Sequence, residues 1–189
     1  MARDAGSSTP PHDDPVRNDA APPLVTARAL AGGLAALRIF FGLIWVSNGL
    51  AKLFNFVSGD LGFFSFTLVN RDSARGIAGG AAEKTYLAPL RLFYQDVVLP
   101  NWGVFGVFLT AAELTVGLAL LFGVASRLAA VGGLLLIGPI YLMLVHTGLY
   151  LWEYPLDLVP MVILAIVPSG RYLGYDRRLA PRFGGRWPF

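Results

Sequence analysis

The chain of 189 residues contains no cysteine. This absence excludes disulfide bonds, thiolate metal sites, iron–sulfur clusters held by the chain and a thiol relay of its own. Histidine is scarce as well, since one of the two histidines lies in a polar terminal stretch and only His146 lies in an apolar one. We therefore expect no metal site built by this chain alone.

Charged residues are also few. They make up 14% of the chain, against about 25% in an ordinary soluble domain, and 55% of the residues are hydrophobic. This balance predicts a membrane protein, with the lipid bilayer as its first partner. Residues 171–189 carry five arginines against a single acid, Asp176. Because this basic tail follows an apolar segment, the positive-inside rule explains it better than nucleic-acid binding does, and no nucleic-acid partner is expected.

The first 27 residues are rich in Pro, Ala, Asp and Ser and show no apolar period. Such a segment cannot bury enough apolar surface to offset its ordering entropy, so residues 1–27 are predicted to be a disordered cytoplasmic tail. A signal peptide is the competing interpretation, because the first apolar run is short. The long acidic leader and the lack of a clean small-residue cleavage site disfavour it.

Four apolar segments follow, and each approaches the roughly 20 residues that a helix needs to cross a bilayer core about 30 Å thick. The sequence predicts an all-α membrane protein in which residues 28–170 form an antiparallel bundle of four transmembrane helices. The predicted helices cover about residues 28–56, 101–123, 127–150 and 151–168. Pro155 and Pro160 make the start of the fourth helix the least defined boundary.

A long outer loop, residues 57–100, is predicted between the first and second helices. We expect its middle, "GIAGGAAEKTY", to be mobile, and we expect "YLAPLRLFYQDVVLPNW" to form a short amphipathic helix at the membrane interface. The other connections are too short for anything but antiparallel neighbours. Arg28, Arg127 and the arginines of the tail share one side of the bundle, whereas the short loop on the other side carries Glu153. A multi-pass protein of the cell membrane with both termini in the cytoplasm, and residues 171–189 as a basic cytoplasmic tail, is therefore predicted.

The first predicted helix carries two cations on one stripe. Arg38, Gly42, Trp45, Gly49 and Lys52 are spaced by four, three, four and three residues, which places them on one face of an α-helix. Glycines allow another helix to approach closely on that face. Both cations are therefore predicted to point into the bundle and away from lipid.

The second predicted helix has a matching stripe of Gly106, Thr110, Glu113 and Gly117. A lone carboxylate near the middle of a membrane is costly and needs a partner or a proton. Arg38 and Glu113 each lie about ten residues, roughly 15 Å, from the predicted cytoplasmic end of their helices. This match in depth predicts a structural Arg38–Glu113 pair.

A second polar cluster is predicted near the outer surface. Lys52, His146 and Asp157 match in depth and are the candidate catalytic residues, although the catalytic group itself is unknown. Such a cluster could relay protons or hold a polar head group. The candidate binding residues are these three together with Asn48 and Tyr150. Two structural alternatives stay open, since charge pairs can simply fix helix packing and Lys52 can snorkel to the interface.

Three stretches of sequence carry a family resemblance. They are "RIFFGLIWVSNGLAKLF", "AAELTVGLALLFGVASRLAAVGG" and "VPSGRYLGYDRRL", in this order. The chain resembles the DoxX family of small four-helix membrane proteins and its DoxD-like relatives over roughly residues 37–179, without the long loop. The positions that look like recurrent family positions are Arg38, Gly49, Lys52, Glu113, Gly123, Arg127, Gly170 and Asp176.

The resemblance implies a membrane subunit associated with an oxidoreductase, because DoxD-like members form the membrane subunit of a thiosulfate:quinone oxidoreductase. Electron transfer needs a cofactor, and this chain has neither cysteine nor a nucleotide-binding glycine loop after a strand. The chain is therefore expected to carry no cofactor of its own, except for quinone as a bound redox group, and a protein partner or redox complex is expected to supply electrons. The alternatives are a non-catalytic assembly protein of a larger complex and, less favoured, a small transporter. The glycine stripes also make a homo-oligomer possible.

Overall fold

The structure, a computed structural model, describes residues 26–189, apart from the side chain of Tyr154. Most of the predicted N-terminal tail therefore lies outside the described residues. Its last residue, Ala27, already belongs to the first helix, and the side chain of Thr26 accepts a hydrogen bond from the backbone N–H of Ala29 at 3.2 Å. A threonine in this position caps the helix, which explains why the helix begins there.

The described residues are mostly helical. The long helices are α1 (Ala27–Phe54), α4 (Trp102–Phe122), α5 (Ser126–Leu144) and α6 (Glu153–Ile166). Between α1 and α4 lie the strands β1 (Ser58–Asp60) and β2 (Ser65–Thr67), the helices α2 (Arg71–Lys84) and α3 (Ala88–Leu92), and a π-helical segment, Phe93–Val98. After α6 come a 3₁₀ turn (Ser169–Arg171), the short helix α7 (Asp176–Leu179) and a second 3₁₀ turn (Ala180–Phe183).

Helices α1, α4 and α5 are long and apolar enough to cross a membrane, whereas α6 is a shorter apolar helix. In the most apolar 18-residue window of each of the three, no more than 28% of the residues are buried. Such outward-facing apolar surface suits lipid, so these helices indicate a multi-pass membrane protein. The predicted fourth span is shorter than expected, since the 14 residues of α6 reach only about 21 Å.

Backbone contact between α1 and α4 is the tightest helix packing in the described part of the chain. A Cβ atom on Gly42 would lie 2.6 Å from the backbone nitrogen of Leu121, and one on Gly117 would lie 2.6 Å from that of Val46. Gly49 is equally crowded, by the side chain of Leu114. The predicted close approach along the glycine stripe is therefore confirmed, with α1 and α4 antiparallel.

The main apolar core lies between α1, α4, α5 and α6. Its fully buried members include Leu120, Met161 and Leu164, and Phe41 and Trp45 reach it from α1. Helices α5 and α6 also pack antiparallel, since Arg127 at the start of α5 donates to the carbonyl of Ala165 near the end of α6 at 3.1 Å. The charged head of Arg127 thus satisfies a carbonyl that the last turn of α6 leaves without an intrahelical partner.

One end of the bundle, called here the Lys52 end, is where α1 ends and α4 begins, and α2 lies across it. The expected mobile segment is wrong over most of its length, because residues 76–84 belong to α2. Asn70 caps α2 by accepting from the N–H of Ser73 at 2.9 Å. Four alanines at helical spacing are buried against the bundle, so small residues let α2 lie close to the other helices. They are Ala74, Ala78, Ala81 and Ala82.

The predicted amphipathic helix after α2 is present in a divided form, as α3 followed directly by the π-helical segment. The β1–β2 hairpin was not predicted. It carries Phe63 at its tip, 90% exposed, and the rings of Phe64 and Phe66 stack at 5.8 Å. The prediction of an all-α protein therefore agrees with the mostly helical structure but omits this two-stranded sheet.

We predict that Gly42→Ala destabilises the protein by about 1–3 kcal/mol, because the added methyl group meets the backbone of α4. The matched control is Gly33→Ala in the same helix, where a Cβ atom meets nothing within 4 Å. It is expected to leave stability unchanged or to raise it by up to about 1 kcal/mol, since alanine favours the helix. Thermal unfolding of both full-length variants in detergent measures the difference, and equal midpoints would contradict the packing described here.

Candidate functional site

A cavity of about 710 Å³ lies between α1, α4, α5 and α6 and extends beneath α2 and the π-helical segment. Its wall is mostly apolar and includes Trp45, Phe105 and Leu136. The polar and charged side chains that line it include Asn48, Lys52, Glu113, Tyr141, Glu153 and Asp157. Its volume falls in the range of roughly 300–1,000 Å³ that is usual for small-molecule sites.

Lys52 and Glu113 form an ion pair in the wall of this cavity. The Nζ atom of Lys52 lies 2.8 Å from Oε2 of Glu113, and the two side chains are 2% and 13% exposed. The same ammonium donates to the carbonyl of Val69 at 2.8 Å. Apart from this contact with Lys52, Glu113 Oε2 accepts no hydrogen bond within the described part of the chain. This oxygen therefore keeps an acceptor position open.

The predicted Arg38–Glu113 pair is wrong. The fully buried guanidinium of Arg38 donates instead to the carbonyls of Leu120 and Leu121, the latter at 3.0 Å, and to that of Leu173 at 3.0 Å. These carbonyls include two at the end of α4, where the helix dipole favours a cation. The prediction assumed that the start of α1 and the end of α4 lie at equal depth. In the structure α4 ends beside Arg38, whereas α1 begins about eleven residues, roughly 16 Å, before Arg38 and so extends past the end of α4.

Asn48 lines the cavity, but both ends of its amide are engaged inside the protein. Its Oδ1 atom accepts from the N–H of Val69 at 2.9 Å, and its Nδ2 atom donates to the carbonyl of Ile44 at 3.1 Å. Asn48 and Lys52 thus bind both backbone polar groups of Val69. Two side chains on one face of α1 thereby position the segment that leads into α2.

A second polar group lies where α5 and α6 face each other. The hydroxyl of Tyr141 donates to Oδ2 of Asp157 at 2.7 Å, and Asp157 is otherwise exposed. Glu153 stands on the same wall, and its Oε2 atom accepts from the N–H of Tyr150 at 3.0 Å. A hydroxyl and two carboxylates therefore border the cavity on the α5–α6 side.

The predicted outer cluster forms only in part. Lys52, Asp157 and Asn48 line one cavity, but Lys52 pairs with Glu113 and Asp157 with Tyr141. His146 packs on the edge of the Tyr86 ring, with ring centroids 4.5 Å apart. It lies beyond α5, which ends at Leu144 and is shorter than predicted, and it is outside the cavity lining.

Tyr150 also lies outside the lining of the cavity. Its exposed ring stacks on that of Trp152, with centroids 4.6 Å apart and planes 6° from parallel. The predicted place of Tyr150 at the rim of the cluster is therefore not supported. The binding roles of Asn48, Lys52 and Asp157 stay predictions.

Most of the cavity residues were not assigned to a site from the sequence, among them three aromatic residues with polar tips, Tyr94, Trp102 and Tyr141. Burial raises the pKa of the Tyr94 hydroxyl above its ordinary value, so this group stays neutral and can donate a hydrogen bond. The Nε1 atom of Trp102 is buried and has no hydrogen-bond partner among residues 26–189. The sequence contained only a weak indication of their role, since each is an aromatic residue with a polar group inside an apolar stretch.

The opposite end of the bundle, called here the Arg38 end, holds a second buried polar network. Asp176 is 1% exposed and accepts from the N–H of Ala125 at 2.6 Å, the N–H of Ser126 at 3.0 Å and the hydroxyl of Ser126 at 2.8 Å. An anion at the start of α5 is favoured by the helix dipole. Gly170 donates to the Ser126 hydroxyl at 3.1 Å, so the segment after α6 is tied to the start of α5.

Comparison with known proteins found no matching family model, no matching curated protein and no matching solved structure. The resemblance to the DoxX family therefore depends on the three sequence stretches quoted above. Several of the residues in them meet in space, since Gly123 and Arg38 are in contact at one end of the bundle and Lys52 and Glu113 pair towards the other.

We predict that Lys52→Leu or Glu113→Leu alone destabilises the protein by about 3–5 kcal/mol, because each leaves a buried charge without its partner. The double variant is expected to recover much of this loss, since no buried charge is left unpaired. Thermal unfolding in detergent measures the coupling. The control is the pair Arg38→Leu and Glu113→Leu, whose effects should add because these residues are not partners. Coupling in the control pair and additivity in the first would contradict the assignment.

Proposed function

We propose that the protein is a DoxX-like membrane subunit of an oxidoreductase that binds quinone, or a similar lipid-soluble carbonyl compound, in the cavity between α1, α4, α5 and α6. The observation that supports this proposal is the cavity itself, an apolar space of about 710 Å³ with polar groups at two places on its wall. The apolar wall suits a ring with an aliphatic tail, and the polar groups suit its oxygens.

The residues present fit a quinone head group. Lys52, which uses two of its three N–H groups inside the protein, and the Tyr94 hydroxyl are hydrogen-bond donors for a carbonyl oxygen, and the Glu113 carboxylate can accept from a hydroxyl. A quinone, when bound, supplies two-electron chemistry coupled to protons. The part of this chain is to hold the ring and exchange protons, and Asp157 suits that exchange because it is exposed and already accepts from Tyr141.

Electrons would come from a partner protein, in keeping with a thiosulfate:quinone oxidoreductase-like complex. The β1–β2 hairpin offers a surface for such a partner, since Phe63 and Phe64 are 90% and 56% exposed at its tip. The same observation favours a second candidate function, a non-catalytic assembly subunit. In that case Lys52, Glu113 and Asn48 serve packing alone.

We further propose that α6 is the fourth membrane span and that both termini are cytoplasmic. The start of α1 and the C-terminal segment lie at the same end of the bundle, because a Cβ atom on Gly32 would lie 3.9 Å from the ring of Tyr172. Arg28, Arg127 and the tail arginines cluster at this end, which the positive-inside rule assigns to the cytoplasm. The apolar part of α6, Pro155–Ile166, packs antiparallel on α5, which is itself long enough to cross, and this packing supports the proposal of a fourth span.

We predict that decylubiquinone quenches the tryptophan fluorescence of the detergent-solubilised protein saturably, since Trp45 and Trp102 line the cavity. Tyr94→Phe is expected to weaken binding about fivefold, because it removes one hydrogen bond to the quinone of roughly 1 kcal/mol. Tyr150→Phe is the matched control, because Tyr150 lies outside the cavity, and it should bind like the unmodified protein. If the unmodified protein shows no saturable quenching, or both variants bind alike, the quinone proposal fails and the assembly function gains support.

The proposed orientation is testable by cysteine labelling, because the chain contains no cysteine of its own. Asp60→Cys on the hairpin and Arg186→Cys in the tail are both exposed positions. In intact cells a membrane-impermeant maleimide is expected to label Asp60→Cys alone, and both variants should react once the membrane is permeabilised. Labelling of Arg186→Cys in intact cells would contradict cytoplasmic termini.

A further inference from the structure

A second cavity, of about 370 Å³, lies at the Arg38 end of the bundle, just beyond the last turn of α4. It is separate from the larger cavity, and the proposed quinone site does not use it. Its wall combines apolar and aromatic side chains with two arginines. The residues that form it include Leu121, Phe122, Leu173, Tyr175, Arg177 and Arg178.

The position of this cavity matches the edge of a bilayer. Helix α4 has 21 residues and is therefore about 31 Å long, close to the thickness of the hydrocarbon core. It ends at Phe122, whose side chain is 52% exposed, and the arginines follow directly beyond that level. An apolar surface that faces lipid thus continues into a basic cavity at the depth where phospholipid head groups lie.

The backbone around the two arginines is held in place by α4. The N–H of Tyr175 donates to the carbonyl of Phe122 at 3.0 Å, and the N–H of Asp176 donates to that of Gly123 at 2.8 Å. The segment that carries Arg177 and Arg178 is therefore attached to the end of a membrane helix. A site built on such a fixed segment loses less conformational freedom on binding than a mobile tail would.

The charge of the cavity is positive and is not neutralised within the described part of the chain. Asp176 is the acid nearest in sequence, but it points inward and is engaged by Ala125 and Ser126. Arg177 and Arg178 are exposed, and neither forms an ion pair with a carboxylate of residues 26–189. Two arginines that line one cavity suit a phosphate group, which guanidinium groups can bind through paired hydrogen bonds.

We propose that this cavity binds the head group of an anionic phospholipid, with Arg177 and Arg178 on the phosphate and the acyl chains along Phe122 and Leu121. A free phosphate has the same charged group, but the apolar wall and Tyr175 at the membrane boundary favour a lipid. The proposal requires α4 to span the membrane and is independent of quinone binding.

The test titrates full-length protein in detergent with phosphatidylglycerol or phosphatidylcholine and counts bound lipids by native mass spectrometry. Arg177→Gln/Arg178→Gln is the test variant. Arg182→Gln/Arg186→Gln is its matched control, because it removes the same charge from the same tail at positions outside the cavity lining. The unmodified protein and the control are expected to bind phosphatidylglycerol in preference, and the test variant to bind it roughly ten- to thirtyfold more weakly. Equal thermal unfolding of both variants establishes that each is folded.

Three results would overturn the proposal. Equal losses in the two double variants would indicate a diffuse attraction of the whole tail, and no loss in either would indicate that the cavity does not bind this lipid. The third is displacement of phosphatidylglycerol by glycerol 3-phosphate or inorganic phosphate at equal concentration, which would assign the site to soluble phosphate. A failure of quinone binding leaves all three readouts unaffected.

Discussion

The contact of α1 with α4 through glycine is the constraint on which the other features depend. Gly42 and Gly117 let the two backbones touch, and any side chain larger than hydrogen at these points would separate them. Because each glycine must lie opposite the backbone of the other helix, the contact fixes how far α4 is shifted along α1, and this shift determines which polar groups of the two helices meet. Lys52 comes to Glu113, and Arg38 comes to the carbonyls that end α4. A shift of α4 along α1 by about three helical turns would be needed to bring Glu113 to the level of Arg38.

Most of the buried charged side chains form hydrogen bonds with backbone groups, and only Lys52 and Glu113 form an ion pair with each other within the described part of the chain. Arg38 and Arg127 donate to carbonyls near the ends of α4 and α6, and Asp176 accepts from the first N–H groups of α5. Helix ends carry such groups without intrahelical partners, and in an apolar surrounding each of them costs free energy unless it is satisfied. The charged side chains at the Arg38 end are thus explained by the need to close a turn between membrane helices.

The larger cavity has a different origin. Helices α1 and α4 are in close contact through glycine, whereas α5 and α6 each have a proline inside the helix, and the cavity lies between these two pairs of helices. The space that results is covered by α2 and the π-helical segment and is bordered by Lys52, Glu113, Tyr141 and Asp157. A mostly apolar cavity with a few polar groups is the arrangement that ligand sites share, which is why the proposed function is placed there.

The sequence by itself determined the membrane class, the approximate bounds of the three long apolar helices and the inward-facing stripe of α1, because composition and helical periodicity are local properties. It also identified Asn48, Lys52 and Asp157 as residues of one region. Only the tertiary structure decided that Glu113 pairs with Lys52, that His146 lies apart and that Tyr141 meets Asp157. Those contacts depend on the relative depth of different helices and on where each helix ends. Both are set by the packing of distant residues such as Gly42 against Leu121, which no single stretch of sequence contains.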